Sequence, residues 1–364
     1  MPQVSFSKDK RQFHIELNQR VNEYFKTKQL SQRGNGKLFF KAFFMLGSLF
    51  TLWAVLVFMQ PLALWLNIVL LMVFGTFMAF IGFNVMHDSC HGAFSNNSVV
   101  NDIFGYSMNL LGAECRFWKV KHNVLHHTFT NIDGVDDDIF KPPFLRMSPN
   151  QPYRKIQKYQ AWYMILLYSI SVLFWVYWMD FAKYFTNKVH TTDLPKKKLV
   201  DHVSFWGTKL FHIGFYIIVP GLVLGFKTAF IGYFIAMLTL GVVISIVFQL
   251  AHVVEGAAYA DAQATGVIEV DEDWAIYQMQ STFDFCPDNA FLTWSLGGLN
   301  YQVEHHLFPK VSHVHYPAIR KIVKEVALKY GVQHNEFSSF WSAVKSHFGM
   351  MHHLGGAQYA KVSA

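Results

Sequence analysis

Charge is what this sequence has least of. Only 15% of its 364 residues are Asp, Glu, Lys or Arg, against about 25% in soluble domains. With 52% hydrophobic residues, that scarcity argues against an ordinary soluble domain, and a membrane protein is the expected class. Cysteine is almost as rare. Cys90, Cys115 and Cys286 are widely spaced and form no CxxC pair, which argues against a disulfide framework and a thiolate metal site. On a helix Cys90 faces away from the His87/His91 stripe and reads as small filler. The first 37 residues are polar and lack the apolar core and cleavage site of a signal peptide. There is no internal repeat and no low-complexity linker, so one domain is expected. No nucleic-acid reader motif accompanies the net charge of +7; that charge fits a cytoplasmic face against anionic lipid instead.

What the chain has in quantity is long apolar runs. Residues 42–59 and 62–86 are apolar, broken by Gln60-Pro61, and a span needs about 20 such residues. They read as a helical hairpin with both ends on one side. Residues 99–113 are amphipathic and suit the membrane interface. Three further apolar stretches follow at 162–181, 205–226 and 229–250. If all crossed, the last histidine cluster would lie opposite the earlier ones, and a single site cannot be built across a bilayer. The stretch 162–181 is the one expected not to cross, because its Trp and Tyr favour the interface. The loop after it carries Lys183, Lys188, Lys196, Lys197 and Lys198, and positive loops stay cytoplasmic. The expected fold class is an all-α integral membrane protein. It has four transmembrane helices as two hairpins, interfacial helices and a cytoplasmic histidine-rich cap. Residues 13–25 read as an amphipathic surface helix, and 317–330 as a helix with Pro317 near its start and Gly331 after its end.

The chemistry sits in three histidine clusters: His87-Asp88-Ser89-Cys90-His91, His122-Asn123-Val124-Leu125-His126-His127 and Gln302-Val303-Glu304-His305-His306. Residues three or four apart share a helix face, and neutral imidazole is a common metal ligand. The clusters supply seven histidines, more than one tetrahedral metal can use, which points to two metals in an imidazole cage. His252 sits where the last apolar run ends, as His87 does for the second, and is read as a further ligand. His352-His353 reads as a surface pair, and His212 as structural or snorkelling. His313 and His315 stay open between site and surface. Asp133 to Asp138 is either a solvated loop or a set of carboxylates holding the outer N–H of ligand imidazoles. Asp88 and Glu304 either orient ligands or face solvent. Asn123 lies within the second cluster.

HDSCH, HNVLHH and QVEHH, in this order between two apolar hairpins, resemble the histidine boxes of the membrane fatty acyl desaturases, from about Gly82 to Pro317. A third box opening with Gln302 resembles the front-end and bacterial linoleoyl-CoA-type members. The resemblance implies a desaturase domain over 42–335, between a cytoplasmic N-terminal segment, 1–41, and a less ordered cytoplasmic tail, 336–364. It implies two iron ions held by His87, His91, His122, His126, His127, His252, His305 and His306, the same histidines being catalytic. Gln302 stands where many relatives have histidine, and binds weakly or through water. It implies molecular oxygen as co-substrate and a fatty acyl chain as substrate, on CoA, acyl carrier protein or lipid. The cytochrome-b5-type haem motif of some members is not found here. Electrons are therefore expected from a separate donor, a ferredoxin or a cytochrome-b5-type protein. A multi-pass protein of a bacterial inner membrane, its site facing the cytoplasm, is the expected setting.

Chemistry favours the same choice. An unactivated methylene has no acidic proton and no leaving group, so acid–base residues cannot attack it; an oxygen-activated metal cofactor can. The nearest alternative is a hydroxylase or ketolase on the same scaffold. A membrane metal transporter is a different class. Transport sites lie near mid-membrane in broken helices, whereas these clusters lie at helix exits.

Overall fold

The computed structural model describes residues 3–7, 11–139, 141, 143–190, 192–261 and 267–356. The fold is mostly helical. Five helices are long and apolar enough to cross a membrane: Gly36–Phe58, Leu64–Cys90, Lys155–Thr186, Leu199–Leu224 and Phe226–His252. The stretch expected not to cross lies inside the third, so length and composition alone give five candidates where four crossings were expected. The chain packs as two compact units, each assembled from separate pieces of chain.

One unit comprises Gly34–Trp118 and Ile165–Ile246. Its first helix starts at Asn35, whose side chain accepts from the backbone N–H of Lys37 and Leu38, satisfying donors that a helix start leaves open. The turn between the first two long helices is held by paired amides. Gln60 donates to Asn67 Oδ1 at 2.8 Å, and Asn67 donates back to Gln60 Oε1 at 3.2 Å. Small residues let helix backbones approach closely where apolar lipid offers no hydrophobic drive. A Cβ added at Gly75 would lie 2.3 Å from the Ala236 carbonyl oxygen, and one at Gly241 would lie 2.3 Å from that of Ser169. Inside this unit Lys209 Nζ meets Asp180 Oδ2 at 2.8 Å and the carbonyls of Gly112 and Val176 at 2.7 and 2.9 Å. His212 is structural here: its Nε2 pairs with the Tyr233 hydroxyl at 2.8 Å.

The other unit comprises Met1–Arg33, Lys119–Met164 and Val247–Ala364. The helix Gln12–Thr27 buries Phe13, Leu17, Val21 and Phe25, an i, i+4 stripe that makes one apolar face. That stripe joins Ile319, Val323 and Val326 of the helix Tyr316–Tyr330 in one core cluster, which also holds Val303 of the third histidine box and Leu307 just after it. Short parallel strand pairs tie distant pieces together: Gln3–Phe6 with Val267–Val270, Ile132–Asp133 with Ala260–Asp261, and Asp284–Phe285 with Glu336–Phe337. The segment after Asn335, expected to be less ordered, forms the helix Phe340–Leu354. It is tied down by fully buried Arg146, which donates to the carbonyls of Leu354, Gln151 and Pro149. Residues 357–364 lie outside the described residues.

A close helix contact and an open helix position predict opposite effects from one kind of substitution. Gly75→Ala forces a methyl onto backbone and is expected to cost about 1–3 kcal/mol of stability, as overpacking does. Gly47→Ala, in a helix with open space around it, is expected to be neutral or stabilising, since alanine favours the helix. Thermal unfolding of the purified variants in detergent compares them. Equal midpoints would refute the close-packing account.

Candidate metal centre

The second histidine box is not an ordinary α-helix. Lys119–His126 is π-helical, and the His127 N–H donates to the His122 carbonyl, five residues back, at 3.0 Å. With i→i+5 bonding, residues four and five apart lie over one another. An α-helix would have turned His127 away from His122. Here His126 stacks on His122 at 5.1 Å between ring centroids, and the Nε2 atoms of His122 and His127 are 3.1 Å apart. Three histidines thus share one face.

The third box folds as the short helix Gln302–Leu307. Asp284 Oδ1 accepts from the Val303 N–H at 3.0 Å, fixing its first turn. His305 and His306 reach the second box: His127 lies 4.5 Å from the His305 ring and 4.3 Å from the His306 ring. His252, closing the long helix Phe226–His252, lies 4.6 Å from the His126 ring and 4.8 Å from the His306 ring. His126, His252 and His306 each place a ligand nitrogen within 4.8 Å of the others. His252, read from its helix-exit position, thus stands in one buried group with His126 and His306. Gln302 is buried on the same short helix, and its Nε2 has no hydrogen-bond partner among the described residues.

Outer contacts set which nitrogen of each ring faces inward. His126 Nδ1 donates to Asp136 Oδ2 at 3.0 Å. His306 Nδ1 donates to Gln278 Oε1 at 2.9 Å, with Thr130 Oγ1 at 3.1 Å bonded to the same amide. His305 Nδ1 pairs with the Tyr316 hydroxyl at 3.0 Å. For His126 and His306 this leaves Nε2 as the lone-pair nitrogen, the arrangement found around metal-bound histidine. Among the described residues, His126 Nε2 and His306 Nε2 have no hydrogen-bond partner. Buried polar atoms normally find one, so these donors fit a metal ion.

Electrostatics agree. Burial lowers the pKa of His122 to about 4 and that of His306 well below the ordinary value, holding both rings neutral, the form that binds metal. Burial also opposes a charge on His126, but the Asp136 carboxylate, helped by Asp138, outweighs it and raises that pKa. The Asp133 to Asp138 run is thus not a solvated loop: Asp136 is fully buried. Glu304 does not face solvent either. It is fully buried, and its Oε1 accepts from His334 Nε2 at 3.0 Å.

In the other unit, the helix Leu64–Cys90 passes through a π-helical turn at Gly82–Met86 just before His87. The His87 and His91 rings are 4.7 Å apart, and Trp118 lies edge-on to both at 5.7 and 5.8 Å. Asp88 is buried beside them in sequence. His315 pairs with the Arg33 carbonyl and packs on Phe25. His313 packs where a Cβ on Gly298 would strike it. His352 and His353 are exposed. Gln278, Thr130 and Tyr316 were missed in the sequence, because nothing near them in the chain marks them as partners of His305 or His306.

Comparison with known proteins bears on this geometry. A family model described as fatty acid desaturase matches residues 63–338. An sn-1 linoleoyl-lipid 6-desaturase from Arthrospira platensis is 35% identical, over 93% of this chain and 91% of that protein. A Synechocystis protein of the same description is 34% identical, over 96% and 97%. An acyl-lipid (8-3)-desaturase from Physcomitrium patens is 32% identical, over 95% of this chain and 72% of its own length.

Asp136 gives this site its sharpest test. Asp136→Asn keeps the shape but removes the charge that holds His126 Nδ1–H. Losing such an outer partner typically weakens metal binding by about 10–100-fold. Chelator competition on the purified protein should show that loss with the helical signal unchanged. An unaltered metal affinity would make Asp136 a folding residue only.

Proposed function

Because the chain belongs to the fatty acid desaturase family, we propose that it introduces a cis double bond into the acyl chain of a membrane lipid, using molecular oxygen at a di-iron centre. The observation that carries this reading is the buried cluster of His126, His252 and His306, all nitrogen donors, with His126 and His306 held from outside by hydrogen bonds. Imidazole suits iron, and the seven box histidines with His252 exceed one coordination sphere. The proposed ligands are His87, His91, His122, His126, His127, His252, His305 and His306, with Gln302 beside them as a weak or water-mediated donor. Bound iron would supply the oxidising power to remove hydrogen from an unactivated methylene.

The protein's part is to hold and to exclude. Asp136, Gln278 and Tyr316 fix ring orientation, so Nε2 lone pairs converge. Burial keeps His122 and His306 neutral and competing water out. The acyl-lipid carrier is proposed because the relatives reported above are named for lipid-linked substrates. Their names differ in bond position. Electrons are proposed to come from a separate ferredoxin or cytochrome-b5-type protein.

The same cluster supports four crossings. His126 and His252 are neighbours, and Asn131 Nδ2 donates to the His252 carbonyl at 2.9 Å. Chain ends that meet on one side are joined by an even number of crossings. Three apolar helices lie between them, so one must fail to cross, and Lys155–Thr186, followed by the lysine-rich loop, is the proposed one. The histidines then face the cytoplasm, in a bacterial inner membrane.

Two experiments test these readings. Gas chromatography–mass spectrometry of lipids from a host making linoleoyl lipids and expressing the chain should show one additional double bond, absent with His306→Ala. Hydroxylated acyl chains instead would move the protein to the hydroxylase reading. For topology, reporter cysteines replacing Lys28, Lys196 and Lys321 should label from the cytoplasmic side, and one replacing Lys227 from the opposite side. Finding Lys28 and Lys196 on opposite sides would end the four-crossing arrangement.

A further inference from the structure

Cys90 and Cys115 stand 25 positions apart in the chain, and the sequence gives no reason to pair them. In the structure both are buried and reduced, and their sulfurs are 3.2 Å apart. Several features hold them together. Cys90 closes the short helix His87–Cys90, and Cys115 opens the helix Cys115–Trp118. The Cys115 N–H donates to Asn109 Oδ1 at 3.3 Å. Gly105 makes the room: a Cβ there would come within 3.3 Å of one sulfur and 3.7 Å of the other. Two filler residues need no such arrangement.

We propose that Cys90 and Cys115 form a redox-active dithiol that a hydroperoxide oxidises to a disulfide. Bond formation brings the sulfurs from 3.2 Å to the roughly 2.0 Å of an S–S bond. The first thiol gives up its proton and attacks the peroxide O–O bond; it becomes a sulfenic acid and one water leaves. The second thiol attacks the sulfenic sulfur, forms the S–S bond and expels a second water. Two thiols and one hydrogen peroxide thus give one disulfide and two waters. The sulfur pair loses two electrons and the peroxide gains them. Burial restricts the oxidant to small hydroperoxides. Cys286, partly exposed, has no comparable partner thiol among the described residues.

The pair is placed to act on the first histidine box. Cys90 is bonded to His91, and Cys115 shares one short helix with Trp118, whose ring lies against His87 and His91. Drawing the sulfurs together shifts both supports of those rings, so the disulfide form loses turnover and reduction restores it. This effect on turnover rests on the assignment of His91 as a metal ligand; disulfide formation does not.

The test uses the full-length protein, purified with its metal under reducing conditions and then treated with hydrogen peroxide. Denaturing alkylation followed by peptide mass spectrometry should find the Cys90 and Cys115 peptides joined, lighter by two hydrogens, with Cys286 still alkylated. Turnover should fall about tenfold or more, in line with the loss of a ligand support, and return with dithiothreitol. Cys115→Ala should keep basal turnover and resist the reversible loss. Recovering both Cys90 and Cys115 as alkylated thiols after peroxide would overturn the proposal, even in a preparation without activity. A disulfide that forms with turnover unchanged would overturn the coupling to His91 and leave the desaturase reading intact.

Discussion

The constraint on which the histidine-bearing unit depends is the cost of burying imidazole. A polar ring taken from water must keep its hydrogen bonds or find other partners, at a cost of about 1–3 kcal/mol for each unsatisfied group. Here the debt is settled on one side only. The Nδ1 atoms of His126, His305 and His306 bond to Asp136, Tyr316 and Gln278. The inward nitrogens of His126 and His306 have no protein partner among the described residues. Packing that holds His126 and His306 from outside and leaves their inner nitrogens converging is what a metal requires. Other features of this unit serve that end. Arg146 anchors the C-terminal helix, the Asp284 carboxylate fixes the third box, and the π-helical turn brings His127 over His122.

The candidate site was legible in the sequence to the extent that its chemistry is local. The three boxes stand out because their spacing matches a helix turn, and His252 stands out because an apolar run ends there. The outer partners were not legible. Gln278 meets His306 from 28 positions away and Thr130 meets it from 176, and neither residue type signals such a role. Asp136 was visible only as one member of an acidic run with two readings. The π-helical turn was hidden because a pattern read at 3.6 residues per turn cannot register i→i+5 bonding. The same rule hid the dithiol, since Cys90 and Cys115 meet by tertiary packing and not by periodicity.

The fold was legible in its helices and less so in its assembly. Apolar length identifies the long helices, because hydrocarbon demands it. Length does not fix how many cross, and the structure holds five candidates. Nor does hydropathy reveal that the N-terminal helix packs on Tyr316–Tyr330, since an amphipathic stripe records that a face is covered and not what covers it. The stripe Phe13, Leu17, Val21 and Phe25 would serve a membrane surface equally well; its partner in the structure is a protein helix.

Buried charge within the apolar unit bears on the reading of the whole chain. An ionisable residue inside an apolar span is expensive and usually functional, which would favour ion movement if one stood ready to bind an ion. Asp180 does not. One carboxylate oxygen accepts from Trp175, and the other from Lys209 and from the Glu114 backbone N–H. Lys209 spends its remaining donors on two carbonyls. A pair so fully engaged ties the segment around Gly112 to two helices, and it offers a passing cation neither charge nor vacancy. By contrast, the Nε2 atoms of His126 and His306 have no hydrogen-bond partner among the described residues. Buried neutral imidazoles can hold a metal, which an ion pair already closed on itself cannot do.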